Sequence, residues 1–213
     1  MRARDQILVA LVLGAATYFA LVRIADAKSD AAVGGGGFAL DARHRDELEA
    51  FQRLRSRLGR MGEDALGERL ESLRATGRLW VAPNLGHERW AVFVEALSLA
   101  HRVYVRREAL LDPVAHLYRS SRPDIPRRFQ EAHAVASLAG ALRHELAHHD
   151  GVSREDDAYA AELRWYEEVR RSAFLDGLSA EERSAWEWGI ESAVLSAQKA
   201  QQIAAGVSAP GSP

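Results

Sequence analysis

The chain has 213 residues, 47% hydrophobic and 27% charged, with a formal net charge of −2. That length suits one domain of ordinary size with extra segments, and the charge balance leaves no footprint for a nucleic-acid partner. Cysteine is absent, which excludes disulfides, thiolate metal sites and a cysteine nucleophile together, so a metal would have to be held by histidine and carboxylate.

The first element is apolar. In "MRARDQILVALVLGAATYFALVRIADAKSD", Arg2 and Arg4 precede a run from Ile7 to Val22 that Arg23 ends. Residues 1–27 fit two descriptions. A small-x-small site at Ala25-Asp26-Ala27 makes them a secretory signal peptide. Extension to Ile24, with Arg23 snorkelling, makes them an uncleaved membrane anchor, a transmembrane helix. Both put the remainder outside the cytoplasmic membrane, because basic residues ahead of the run stay inside. The expected location is the bacterial cell envelope, exported or anchored with the domain on the outer side. A buried helix of the domain is the blander description, and the chain-start position and basic flank argue against it. Residues 28–42, with four glycines from Gly34 to Gly37, are expected to form a flexible linker.

Residues 43–204 are expected to form the domain. Leu48, Phe51, Leu54 and Leu58 make one helical stripe and Leu66, Leu70 and Leu73 another, with Gly59 and Gly62 dividing them. Leu79 to Ala82 is a short strand ended by Pro83-Asn84. "WAVFVEAL" fits a strand or a helix. "HRVYVRREAL" alternates Val103 and Val105 against Arg102, Tyr104 and Arg106, the pattern of a half-buried strand. Pro113, Pro123 and Pro126 bracket a loop with a helical turn around Val114 to Tyr118. Helices follow over about Arg128–His149, Ser153–Phe174 and Ala180–Ala204, and residues 205–213 form a disordered tail. The fold class is α+β: a mostly helical domain with a small sheet ahead of the long helix, plus the N-terminal apolar helix.

The chemistry concentrates in "RHELAHHDGVSRE", Arg143 to Glu155. On a helix, His144 and His148 project from one face a turn apart, where two imidazoles can share one metal ion. Glu145 stands beside that face, where a general base can take a proton from water. Two surface histidines on an amphipathic helix are the bland alternative. Val135, Leu138, Leu142 and Leu146 make this helix too apolar for it, and burying two histidines and a glutamate without a partner is costly.

Asp150-Gly151 then stops the helix, and Ser153 with Asp156 has the form of a cap for the next. So short a connection makes the helices antiparallel neighbours. Counting outward from the turn puts Glu155 level with His148 and Glu162 level with about Ala141. Glu155 is therefore the expected third ligand, and Glu162 is favoured only by a looser turn. An acid in a helix's first turn is also stabilised by the dipole alone.

"HELAH" followed by "EDDAYAAEL" resembles the gluzincin metallopeptidases, whose His-Glu-x-x-His helix is followed by a helix carrying a ligating glutamate. The resemblance covers roughly residues 128–168. It implies a zinc ion (Zn2+) held by His144, His148 and Glu155, with Glu145 as base. It also implies a small sheet whose edge binds an extended peptide, for which "HRVYVRREAL" is the candidate edge strand. Two features depart from the family: the gap between His148 and Glu155 is short, and Tyr159 stands where an Asp or Asn often orients the first histidine.

An oxyanion stabiliser is expected among Tyr159, Tyr166, His149 and His133. His44, His87, His101 and His116 are isolated and expected to be structural or solvated, and the five tryptophans to be packing residues. The resulting expectation is a zinc metallopeptidase acting on a peptide or protein substrate. Its alternative is a catalytically inactive, metal-stabilised and membrane-tethered module that binds a partner through the charged helices of 43–75.

Overall fold

The computed structural model describes residues 3–86, 89–96, 100–118 and 122–206, with side chains described from residue 14 onward and not at 95, 96 and 100. In chain order the elements are α1 (Ala3–Ala32), β1 (Phe38–Ala39), α2 (Arg45–Arg60), α3 (Asp64–Ala75), β2 (Leu79–Ala82), β3 (Ala91–Ala96) and β4 (Ala100–Arg106). There follow α4 (Arg107–Leu111), α5 (Pro113–Leu117), α6 (Arg127–His149), α7 (Glu155–Arg171), a 3-10 turn (Leu175–Gly177) and α8 (Ala180–Ala204). The protein is α+β and mostly helical, with one small sheet. The expected tail at 205–213 falls mostly on residues 207–213, outside the described residues.

Helical spacing places the core directly. Phe51, Leu54 and Leu58 of α2 and Leu66, Leu70 and Leu73 of α3 are buried on one apolar face. Gly62, at φ +78°, makes the break between the two helices. Asp112 caps α5 by accepting from the Ala115 amide (2.9 Å), and Ser179 with Glu182 forms a reciprocal capping box at α8. The box read at Ser153 and Asp156 is not formed: the N-cap of α7 is Arg154, without a side-chain cap. Arg154 instead pairs with Asp156, which leaves Ser153 in the wall of a cleft.

The sheet order is β1-β2-β4-β3, with β4 parallel to β2 and antiparallel to β3. The ambiguous segment is thus a strand, β3, in register through Phe93 opposite Val103. The expectation that "HRVYVRREAL" forms the edge is overturned: β4 is internal and β3 is the edge. β4 is internal because it pairs with β2 on one side and β3 on the other, and one face of this sheet is covered by α1. Its last turns lie on the sheet face that the alternation assigned to solvent, so Tyr104 is 0% exposed and Arg102 pairs with Asp26 while stacking on Trp80 (3.9 Å).

The same packing corrects the linker assigned to residues 28–42. Ser29 (0% exposed), Val33 and Leu40 are buried, and the glycines form a fixed turn from α1 into β1. Asp30 accepts from the Gly37 amide (2.9 Å), and Asn84 donates to the Gly35 carbonyl (3.0 Å). Gly34 has φ +81°, and a Cβ there would lie 2.8 Å from the Asn84 carbonyl oxygen, so backbone geometry and not flexibility explains this glycine. Among the described residues no helix is long and apolar enough to cross a membrane. The run from Ile7 to Val22 lies partly on residues whose side chains fall outside the description.

α6 is the organising element, packing on α5, α7, α8 and the sheet. Where it crosses α8, Gly189 touches its backbone: a Cβ would lie 2.6 Å from the His133 nitrogen and 2.8 Å from the Ala132 carbonyl carbon. Mid-helix, Gly189→Ala would stabilise an isolated helix by about 1 kcal/mol. The backbone clash reverses that sign, and chemical denaturation should show Gly189→Ala less stable by about 1–3 kcal/mol.

Candidate metal centre

The C-terminus of α6 closes in a Schellman arrangement, with Val152 N–H donating to the Ala147 carbonyl (3.0 Å) and Gly151 N–H to that of His148 (3.0 Å). Gly151, at φ +103°, allows the reversal. α7 starts four residues later, which brings Glu155 back to the histidines.

Three donor atoms converge there. Nε2 of His144 and Nε2 of His148 lie 3.2 Å apart, and Oε2 of Glu155 lies 3.1 Å from the first and 3.6 Å from the second. Bonds of about 2.0–2.1 Å to a tetrahedral ion require ligand–ligand edges of roughly 3.3 Å, so this triangle has the size of a metal coordination face. The protons fit as well. Nδ1 of His148 donates to the Val152 carbonyl (2.7 Å), which leaves its Nε2 with a lone pair. Nδ1 of His144 has no hydrogen-bond partner and faces Oε2 of Glu162 at 3.6 Å. With its proton on that side, His144 also presents a lone pair at Nε2. Three lone-pair donors then face one point, an arrangement a cation relieves. Burial holds His144 below its ordinary pKa against the opposing pull of Glu155, and a neutral imidazole is the form that ligates.

Glu162 does not join this donor cluster. It is buried behind His144, where its carboxylate can orient the ring. Burial raises its pKa to about 7, against the lowering effect of the Tyr166 hydroxyl that donates to it (3.1 Å). Gly140 makes room for this pair: a Cβ there would collide with the Tyr166 hydroxyl and lie 2.8 Å from Oε1 of Glu162. Glu162 is thus the carboxylate nearest the back of the His144 ring among the described residues.

Glu145 stands beside the triangle. Its carboxylate accepts from the Phe93 amide of the edge strand β3 (2.6 Å). Burial lifts its pKa to about 7, partly countered by that hydrogen bond and by the positive charge of Arg89. The Tyr159 ring lies 4.3 Å from that of His144. Burial first, then the nearby glutamates, push its phenol up to about 12, so it stays a proton donor at neutral pH.

The other expected oxyanion donors are elsewhere. Tyr166 is buried and committed to Glu162 and the Ala136 carbonyl. His149 packs edge-on against Phe93 (5.7 Å) beside Arg69 and Asp150. His133, paired with the Tyr118 hydroxyl (2.6 Å) and held at about 4 by burial, lies about three turns away along α6.

The three donors line one open cleft of about 950 Å3 together with Glu145, Glu162, Tyr159, Arg89 and Phe93. β3 forms one wall. Ala193, Ala197 and Ala200 of α8 form another, and small side chains there keep it wide. Four participants were not found from sequence: Arg89, the Phe93 amide, the Val152 carbonyl and Gly140. Backbone groups leave no residue-type signal, and Arg89 is one arginine among many. Comparison with family models, with curated proteins and with solved structures found no match.

Titration of chelator-treated protein with Zn2+ by calorimetry should give one site per chain. His144→Ala and Glu155→Ala should each abolish it, and Glu162→Gln should weaken it about 10–100-fold. Unchanged affinity in Glu162→Gln would remove its orienting role.

Proposed function

We propose that this protein is a zinc-dependent hydrolase of the peptidase type, resembling the gluzincins in its ligands, tethered at the bacterial cell envelope. One observation carries the reading: a three-donor triangle of metal-coordination size, a glutamate of raised pKa beside it and the edge strand β3 share one open cleft. Zinc, when bound at His144, His148 and Glu155, would supply Lewis acidity to polarise a scissile carbonyl and to acidify water.

The chain's own groups do the rest. A peptide added along β3 would compete for the Phe93 amide and so release the Glu145 carboxylate. Glu145 then takes the proton from the attacking water and passes it to the leaving amine, a role that suits a pKa near neutrality. The Tyr159 hydroxyl donates to the oxyanion that develops, and the positive charge of Arg89 favours the same charge.

Glu145→Gln should keep zinc at full stoichiometry and lose at least about 100-fold in cleavage of a denatured protein substrate. Wild-type cleavage by this variant would sink the proposal. The base works deprotonated, so kcat/KM should rise with pH through its pKa. A nearby divalent cation lowers that pKa further, so the acid limb should fall at or below about pH 7.

The second reading, a metal-stabilised module without catalysis, draws on the hydrogen bond that already occupies the Phe93 amide. It predicts zinc-dependent thermal stability together with no cleavage by either form.

For the N-terminus, the uncleaved anchor has more support than a removable signal. Ala25 is 1% exposed within α1, and Asp26 pairs with Arg102, so cleavage after Ala27 would strip a packed turn from the sheet. Nearer the start of α1, Tyr18, Phe19, Leu21 and Ile24 are exposed apolar side chains. Mass spectrometry of protein taken from native membranes should find residues ahead of Ala27 retained; a mature N-terminus at Lys28 would overturn the anchor.

A further inference from the structure

A second groove shares no lining residue with the metal cleft. Two adjoining cavities, about 620 and 210 Å3, have Arg57, Glu131 and Val135 in common and join between α2 and the N-terminal half of α6. The floor is apolar: Leu54, Met61, Val135 and Leu138 are buried, and Phe174 packs edge-on against Trp186 at 5.2 Å.

The rim is basic. Arg53, Arg57 and Arg60 recur at i, i+4 and i+7, which stands them along one face of α2 over about 10 Å. Neighbouring charges are matched locally. Arg45 pairs with Glu49, and Glu71 takes both Arg55 and Arg74. On the opposite wall Arg127 engages Glu131, and Arg128 engages Glu181. Among the described residues, no carboxylate lies within 4.0 Å of Arg53, Arg57 or Arg60. The helix dipole favours Arg57 and Arg60 in the last turn of α2. It does not account for Arg53, which lies outside the dipole's reach, or for the apolar trough beside all three.

We propose that this groove docks an acidic amphipathic segment of a partner protein, with its apolar side chains on the floor and its carboxylates on Arg53, Arg57 and Arg60. Charge complementarity sets the class of occupant, since guanidinium forks take carboxylates in a bidentate manner. A recessed floor between raised rims admits the side chains of one segment, whereas a bilayer surface meets only the rim. The inference stands apart from the metal centre and holds whether or not the cleft is catalytic.

The test uses the full chain and a fluorescein-labelled helical peptide of about 14 residues, carrying glutamates at i, i+4 and i+7 and leucines on the adjoining face. Fluorescence anisotropy should show saturable binding, weakened at least tenfold by Arg53→Glu/Arg57→Glu/Arg60→Glu and by raising salt from about 0.05 to 0.5 M. Arg45→Glu, outside the groove, should bind as wild type. If the triple reversal does not fold by circular dichroism, the triple glutamine variant takes its place with the same expectation. Absence of saturable binding, or binding that the triple variant leaves intact, overturns the proposal. So does arginine-dependent binding to phosphatidylglycerol vesicles with none to the peptide.

Discussion

One hydrogen bond at the end of α6 links the backbone to the chemistry. Nδ1 of His148 donates to the Val152 carbonyl at 2.7 Å, and Val152 is the residue whose amide closes the Schellman turn on Ala147. The turn therefore does two things at once. It reverses the chain so that Glu155 returns within reach of both histidines, and it fixes the tautomer that leaves Nε2 of His148 free. A different connection would move the third donor and release the second together.

Behind that turn, the site depends on carboxylates kept from water. Glu145 and Glu162 both have pKa values raised by burial to about 7, yet their surroundings separate their roles. Glu145 meets an edge-strand amide and faces an open cleft. Glu162 is closed in by Tyr166 and by the α6 backbone at Gly140, and it faces the back of His144. One is open to the cleft and the other is closed in behind the ring of His144. A low local dielectric strengthens both interactions and makes each costly to leave unpaired.

Much of this was legible in the chain. The stripes of α2 and α3 and the spacing of His144, Glu145 and His148 all follow from the 3.6-residue period, which acts between neighbours in sequence. The tight Asp150-Gly151 stop also pointed to Glu155 ahead of Glu162. Three expectations went differently. β4 is internal because it pairs with both β2 and β3, and α1 covers the face expected to meet solvent. The Gly34–Gly37 stretch is a pinned turn because Asn84 and Asp30 hold it. Ser153 does not cap α7, and its neighbour Arg154 pairs with Asp156 instead.

The sequence by itself determined the two histidine donors, the acid between them and the turn that folds the next helix back, because helix geometry and glycine's access to positive φ are local properties. Only the tertiary structure decided which strand borders the cleft, which carboxylate stands behind His144, and that Phe93 and Val152 offer main-chain partners to Glu145 and His148. Those outcomes rest on contacts between residues far apart in sequence, as for Phe93 and Glu145, 52 positions apart. Such contacts form when whole elements pack, and no pattern within one element encodes its partner.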